Sequence, residues 1–318
     1  MHVELVVPGL FDAQEGPRAP ALELLLARGR RLATPPATLE DWYANAFGLA
    51  GAPLPAGALS ALACGLEPGS AHWMRADPVH LRADRDQVLL FPSRDFALAA
   101  EEAEALVAAL NAHFAGEFSV HALRPDLWCL QGGREMPVST RPPLAIAGRS
   151  VDAELPDKRW HPLLNEMQMA LYQHPVNTAR EARGDPVVNG VWLWGAGRLP
   201  AAASLPGPAA WHSVSADDPV ALGLARLAAL RHRAPGEGAG PWLERAPEEG
   251  RHLVILEPSR GMEEQWFAPL LAALRSARIG MLTVHVPDAG ASFETARGDL
   301  RRFWRRPRPL ADYGSAPG

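Results

Sequence analysis

The spacing of hydrophobic and polar positions changes several times along the chain and predicts alternating strands and helices. Short apolar or alternating runs predict strands at 2–8, 70–83, 87–91, 117–122 and 127–131. Apolar positions three or four residues apart predict helices at 19–32, 38–48, 99–114, 161–174 and 218–232. The chain finishes with a predicted strand 252–257, helix 262–276, strand 279–286 and helix 292–305. This β-α-β-α order favours a mostly parallel sheet flanked by helices.

Two regions break that alternation. Consecutive strands between residues 70 and 131 predict a small inserted or antiparallel subdomain within a single α/β domain that spans residues 1–318. Proline, glycine and arginine dominate 132–159, and glycine and proline dominate 234–250, so both predict irregular connections.

A tryptophan-rich strand is predicted at Asn189–Gly197, in which Trp192 and Trp194 alternate along an apolar run. A buried indole needs a partner for its N–H, so two tryptophans in three positions favour a specific role. The glycines at 195 and 197 predict a turn where the backbone passes close to another part of the molecule.

Candidate binding residues concentrate in the strand predicted at 70–83. Arg75 and Asp77 are two apart and therefore share one strand face, with His80 and Arg82 following. Guanidinium groups hold phosphate or carboxylate by paired hydrogen bonds, so the cluster is a candidate site for a small anionic ligand. A buried salt-bridge network that fixes the strand is the alternative explanation of the same residues.

Composition narrows the function classes. The sequence is 47% hydrophobic and 21% charged with a formal net charge of −5, so no basic field favours nucleic acid. Its two cysteines, Cys64 and Cys129, lack a partner motif, which argues against a disulfide framework and fits a reducing cytoplasm. No signal peptide or membrane-spanning run is evident, so a cytoplasmic protein is expected.

Two stretches carry a family resemblance. Asn189–Gly197 is similar to the Asn-x-x-Trp-x-Trp-Gly-x-Gly segment of archaeal-type cofactor-independent phosphoglycerate mutases, and residues 65–81 resemble the bacterial regulatory protein RpfE family, a divergent relative of those mutases. In the mutases a substrate-phosphate segment corresponds to this second stretch; Arg75 matches its arginine, and Asp77 replaces its asparagine. The resemblance implies an alkaline-phosphatase-like sandwich and adds Asn189, Trp192 and Trp194 to the candidate ligand-binding residues.

The departures from that family bear on catalysis. The resemblance implies a metal-binding Asp-Gly after the first strand, where this chain has Pro8-Gly9. It also implies histidine-containing ligand clusters in two later loops. In this chain the corresponding loops begin at Glu257 and at His285 and do not match those clusters. Loss of ligands at three loops predicts loss of a two-metal site, hence no cofactor. The alternative is a rebuilt Mn or Zn site formed by Asp12, Glu257, His285 and Asp288.

No nucleophile motif is recognisable either. The serine and threonine candidates are more typical of caps and turns; they are Ser60, Ser70, Ser93, Ser139 and Thr140.

Three functional hypotheses follow. The first is a non-catalytic phosphoglycerate-mutase-like protein with a regulatory or anionic-ligand-binding role, as the resemblance implies. The second is a metal-dependent phosphomutase or phosphatase with the rebuilt site. The third is a protein that docks onto a partner through Arg301–Arg308, a basic cluster predicted to lie on the last helix.

Overall fold

The computed structural model describes residues 1–12, 18–85, 87–132, 140–151, 154–155, 158–201, 211–246 and 249–314. The chain divides into two compact units. Unit 1 comprises Met1–Ala50 and Ala202–Gly318, and unit 2 comprises Gly51–Ala201. Unit 2 contains the segment 70–131 in which the sequence predicts a subdomain.

Unit 1 is built on a seven-stranded sheet of order β2-β12-β11-β1-β10-β8-β9. Its strands are β1 (His2–Val6), β2 (Arg30–Ala33), β8 (Ser213–Ser215), β9 (Arg231–Arg233), β10 (Arg251–Ile255), β11 (Met281–Val286) and β12 (Ala291–Ala296). Neighbours from β11 through β9 are parallel, whereas β12 and β2 are antiparallel additions at one edge. The predicted mostly parallel sheet is confirmed.

Six helices accompany this sheet in the described part of unit 1. They are α1 (Pro20–Arg28), α2 (Leu39–Ala46), α7 (Pro219–Leu227), α8 (Ala239–Arg245), α9 (Ala268–Arg275) and the short α10 (Ala311–Gly314). Thr38 begins α2, as predicted, by accepting a hydrogen bond from the backbone N–H of Asp41. Residues of α1, α8 and α9 bury the apolar face of β1, β10 and β11 in one hydrophobic core.

Unit 2 is an antiparallel sheet covered by helices. Its strands are β3 (His72–Asp84), β4 (Gln87–Pro92), β5 (Phe118–Arg124), β6 (Leu127–Gly132) and β7 (Gly190–Gly197), and its helices are α3 (Ala56–Ala63), α4 (Ala100–His113), α5 (His161–Tyr172) and α6 (Pro175–Arg183). The long strand β3 pairs with β4, β6 and β7 at different parts of its length. It therefore organises the whole unit.

The backbone of the tryptophan strand lies close to another segment at its two glycines, as predicted. The predicted turn at these glycines is wrong, because β7 continues to Gly197. A Cβ on Gly195, whose φ is +58°, would lie 2.5 Å from the Cβ of Ala56, and one on Gly197 would lie 2.8 Å from the Cβ of Pro55. Larger side chains at these two positions would push the strand away from the start of α3.

Several predicted elements are wrong. Residues 292–305 do not form a helix: Ala291–Ala296 is strand β12, a short 3₁₀ turn follows at Arg297–Arg301, and residues 302–310 contain no regular element. The basic cluster at Arg301–Arg308 is therefore not presented on a helix, as the docking hypothesis had assumed. Residues 30–33 form β2 instead of extending α1, and α8 lies within the predicted loop 234–250.

None of the helices in the described ranges is long and apolar enough to cross a membrane.

Candidate functional site

A buried polar network lies on the sheet of unit 1 around Glu4, which is 3% exposed. Arg251 Nε donates to Oε1 of Glu4 at 2.8 Å, and Trp211 Nε1 donates to the same oxygen at 3.2 Å. The imidazole Nε2 of His285 lies 3.3 Å from the other oxygen, Oε2. These groups meet because β1 is the central strand, with the strand of Arg251 on one side and the strand of His285 on the other.

The network keeps Glu4 ionised. Burial raises the pKa of this carboxyl, but hydrogen bonds from His285 and Arg251 outweigh burial and lower the pKa to about 2. An ionised carboxylate in this position is an acceptor only, so His285 donates its Nε2 proton to Glu4.

The second nitrogen of His285 is also engaged. Nδ1 lies 2.8 Å from Oγ of Ser292, its direct partner on the antiparallel strand β12. A neutral imidazole that donates from Nε2 to Glu4 would accept the hydroxyl proton of Ser292 at Nδ1. Both ring nitrogens therefore have hydrogen-bond partners within the sheet.

The other candidate metal ligands do not complete a centre. Asp288 Oδ1 accepts the backbone N–H of Gly9 at 2.8 Å. Asp12 also lies beside Gly9, and Glu257 interacts electrostatically with the buried hydroxyl of Tyr43. Within the described ranges, no three or more His, Cys, Asp and Glu side chains are arranged to hold a metal ion. The described residues therefore do not by themselves supply the ligand set that the resemblance implies for a metal pair.

The predicted proximity of Arg75 and Asp77 in unit 2 is observed. Arg75 Nε and Nη2 both donate to Oδ1 of Asp77, at 3.0 and 2.6 Å, and Trp194 Nε1 donates to Oδ2 at 2.7 Å. Arg75 Nη1 also donates to Oγ of Ser60 at 3.3 Å. Arg75 and Trp194 are cross-strand partners on β3 and β7, which places the guanidinium 5.1 Å from the indole ring centroid.

These contacts describe a buried salt-bridge network, the alternative that the sequence left open. Arg75 is 8% exposed and Asp77 is 5% exposed. Burial raises the pKa of Asp77, while the Arg75 guanidinium and the Trp194 N–H oppose that rise. The role of this cluster in binding an anion stays a prediction.

His80 and Asn189 hold the far end of β3 to the segment that enters β7. Asn189 accepts the Leu81 backbone N–H at 2.7 Å through Oδ1 and donates to the Leu81 carbonyl at 2.8 Å through Nδ2. His80 Nδ1 lies 2.9 Å from the carbonyl oxygen of Val187. Arg82 is exposed, with its guanidinium 4.7 Å from the Phe91 ring centroid.

Trp192 borders a cavity of about 150 Å³ in unit 2. Its Nε1 donates to the carbonyl oxygen of Arg141 at 2.8 Å, which fixes the indole. The polar side chains that line the same cavity belong to α5 and are those of His161, Asn165 and Gln168. A volume of this order holds a small organic molecule.

These three α5 residues are not among the binding residues predicted from the sequence. They recur at four- and three-residue intervals on a predicted helix, so one helical face carries all three. That polar stripe was the sequence feature that could have indicated a binding site. Its position beside Trp192 is known only from the folded structure.

Three of the hydroxyl candidates have structural partners for their side chains. Ser93 Oγ donates to the Asp126 carbonyl at 3.4 Å, Thr140 Oγ1 donates to the Leu193 carbonyl, and Ser60 contacts Arg75 as described. The Ser70 carbonyl accepts a hydrogen bond from Arg198. Ser139 lies outside the described residues.

Comparison with known proteins relates part of this chain to phosphoglycerate mutases. The 2,3-bisphosphoglycerate-independent phosphoglycerate mutase 2 of Methanothermobacter thermautotrophicus is 33% identical over 106 residues, which cover 31% of this chain and 26% of the relative. The match thus spans about a quarter of the length of that curated relative. No family model matches the sequence.

One solved structure shows a similar fold. The PH0037 protein from Pyrococcus horikoshii superimposes with a TM-score of 0.54 at 14% identity, covering 93% of this chain and 87% of that protein. A cofactor-independent phosphoglycerate mutase from Thermoplasma acidophilum gives a TM-score of 0.48 at 18% identity, covering 98% and 93%. The similarity to PH0037 supports the mixed α/β fold with its large, mostly parallel sheet.

Proposed function

We propose that this chain is a phosphoglycerate-mutase-like protein that acts by binding instead of by metal-dependent phosphoryl transfer, in a regulatory or anionic-ligand-binding role. The observation that carries the proposal is the engagement of both ring nitrogens of His285, by Glu4 and by Ser292. A histidine held in this way links β11 to both neighbouring strands, and its Nδ1 would have to leave Ser292 before it could bind a metal.

The neighbouring loops support the same conclusion. Where the resemblance implies a metal-binding aspartate, the chain has Pro8, which offers no ligand. Asp288 is engaged with the backbone of Gly9. Phosphoryl transfer with a metal pair needs several ligands that converge on each ion, and the described residues of these loops do not supply them.

The proposed ligand site is the cavity beside Trp192. Arg75 is held by Asp77 and Ser60, so its guanidinium is not directed at a ligand. In the cavity, the amide groups of Asn165 and Gln168 and the imidazole of His161 offer donors beside an indole wall. Phosphate and carboxylate oxygens are acceptors for these donors, although the lining contains no lysine or arginine.

Activity assays test the catalytic half of the proposal. Phosphoglycerate mutase and phosphomonoester hydrolysis are measured with Mg²⁺, Mn²⁺ or Zn²⁺ on the full chain and on His285→Gln, with an active cofactor-independent mutase assayed in parallel. We expect no turnover above buffer from either protein. Metal-dependent turnover that disappears in His285→Gln would establish the rebuilt-site enzyme instead.

Calorimetric titration tests the binding half, with inorganic phosphate and 3-phosphoglycerate as the probes. We expect saturable binding that weakens about tenfold or more in the double variant Asn165→Ala and Gln168→Ala, since each lost hydrogen bond to a charged group contributes about 1.5–3 kcal/mol. Glu166→Ala on the same helix, which does not line the cavity, is the matched control and retains binding. Equal affinity in the double variant, or no binding by the parent chain, would exclude this cavity as the site.

A further inference from the structure

An exposed aromatic pair lies within a basic segment that follows β12, a strand of the sheet of unit 1. The basic–aromatic segment, residues 301–308, contains five arginines and no acidic residue. At its centre, Phe303 is 78% exposed and Trp304 is 65% exposed. Two adjacent aromatic side chains this accessible form an exposed apolar patch, a feature typical of interaction sites.

The fold holds this segment in place. Arg302 Nη1 donates to the Arg28 carbonyl at 3.0 Å, and Arg305 Nη1 donates to the Gly29 carbonyl at 2.7 Å. At the far end, the Arg308 backbone N–H donates at 3.2 Å to the hydroxyl of Tyr313, which is itself part of the core. Contacts on both sides of Phe303 and Trp304 therefore fix the pair in an outward position.

Positive charge surrounds the pair. Two nearby arginines are neutralised, Arg30 by Glu294 at 2.5 Å and Arg302 by Asp299 at 2.7 Å. Arg301, Arg305, Arg306 and Arg308 are exposed and form no salt bridge with any acidic side chain in the described ranges. In a chain whose net charge is −5, this is a local concentration of uncompensated cations.

The arrangement of the two rings distinguishes between anionic partners. Phe303 and Trp304 pack edge to face, with centroids 5.3 Å apart and planes at 81°. Consecutive bases of a single strand stack on aromatic faces that lie along one path, which an edge-to-face pair does not provide. A compact apolar wedge ringed by arginines instead matches a membrane surface, where aromatic side chains enter the headgroup region and cations meet acidic lipids.

We propose that the basic–aromatic segment docks this protein onto anionic membrane surfaces, with Phe303 and Trp304 inserted among the headgroups and the surrounding arginines bound to lipid phosphates and carboxylates. Each basic group adds to the attraction, and the inserted aromatics add a contribution that salt does not screen. Docking of this kind is peripheral and reversible.

Co-sedimentation of the full chain with vesicles tests the proposal. Vesicles of phosphatidylcholine alone are compared with vesicles in which about one-third of the lipid is phosphatidylserine. We expect binding to the anionic vesicles only, lowered at least about tenfold by Phe303→Ser with Trp304→Ser and similarly by Arg301→Gln with Arg306→Gln. Arg302 and Arg305 are left intact because they anchor the segment.

A matched control distinguishes insertion of the aromatic pair from nonspecific adsorption of exposed apolar side chains to vesicles. Met169 and Tyr172 are equally accessible in unit 2, 75% and 73% exposed, and lie on a helix whose own sequence, His161–Tyr172, contains no arginine. Met169→Ser with Tyr172→Ser leaves vesicle binding unchanged if the proposal holds. Equal binding by the parent chain and both segment variants would overturn it, as would an absence of vesicle binding combined with binding of oligothymidylate through the same residues.

Discussion

Nε2 of His285 lies 3.3 Å from Oε2 of Glu4, so a histidine near the end of one parallel strand is joined to a buried carboxylate on the next strand. This relationship assigns His285 to the stability of the sheet. It also makes Glu4 the centre of a network that includes Arg251 and Trp211.

Glu4→Gln is expected to destabilise the protein and to remove part of its acid sensitivity. The ordinary pKa of 4.5 is lowered to about 2 in the folded state, a difference that corresponds to about 3 kcal/mol of stability. Because the folded pKa is the lower one, this contribution is complete above about pH 4.5 and is lost as the pH falls towards 2.

Urea unfolding of the parent chain and Glu4→Gln between these pH values measures the effect. The difference in the free energy of unfolding should be largest near neutral pH and should shrink on acidification. Glu104→Gln on the exposed face of α4 is the control and should change little. A constant difference at every pH would contradict the assignment.

Asp77→Asn is expected to cost about 3–5 kcal/mol, because it leaves the Arg75 guanidinium buried without its carboxylate. The double variant Arg75→Met with Asp77→Leu should lose less than the sum of the losses in Arg75→Met and in Asp77→Leu, since it removes both charges. Denaturant unfolding of the parent chain, these two single variants and the double variant completes the cycle. Additive losses would show that the two side chains are not coupled.

Gly57→Ala should destabilise unit 2 by about 1–3 kcal/mol or more, because a Cβ at this position of α3 would overlap the backbone of Met74. Gly240→Ala is the matched change in α8, where a Cβ meets no atom within 4 Å. There the substitution should stabilise the protein by about 0.5–1 kcal/mol through helix propensity. Thermal unfolding of both variants compares the signs of the two stability changes. An unchanged stability in Gly57→Ala would be inconsistent with the close approach of α3 and β3.

Much of the fold follows from local sequence patterns, and the exceptions have physical causes. The alternation in 70–83 and the apolar spacing in 38–48 predicted β3 and α2 closely. The predicted helix at 292–305 is wrong. The arginines after residue 296 are typical of a helix end, but residues 291–296 pair with the open edge of β11 and form β12. Helix α3 was missed because most of its residues are buried, so it lacks an apolar stripe.

The candidate site was predictable to a smaller extent. Two-residue spacing placed Arg75 beside Asp77, since it depends only on strand geometry. The partners that decide the roles of these residues come from distant positions: Trp194 reaches Asp77 across 117 residues, and Glu4 reaches His285 across 281. Such contacts depend on strand order, which the sequence pattern does not specify.

Metal stoichiometry tests the central claim most directly. The chain and His285→Gln are purified without chelator, incubated with Mn²⁺ or Zn²⁺, dialysed, and analysed for metal bound per chain by mass spectrometry. The engagement of His285 by Glu4 and Ser292 predicts no stoichiometric metal in either protein. About one or more tightly held ions per chain, lost on substitution of His285, would contradict that prediction and establish a metal-dependent enzyme.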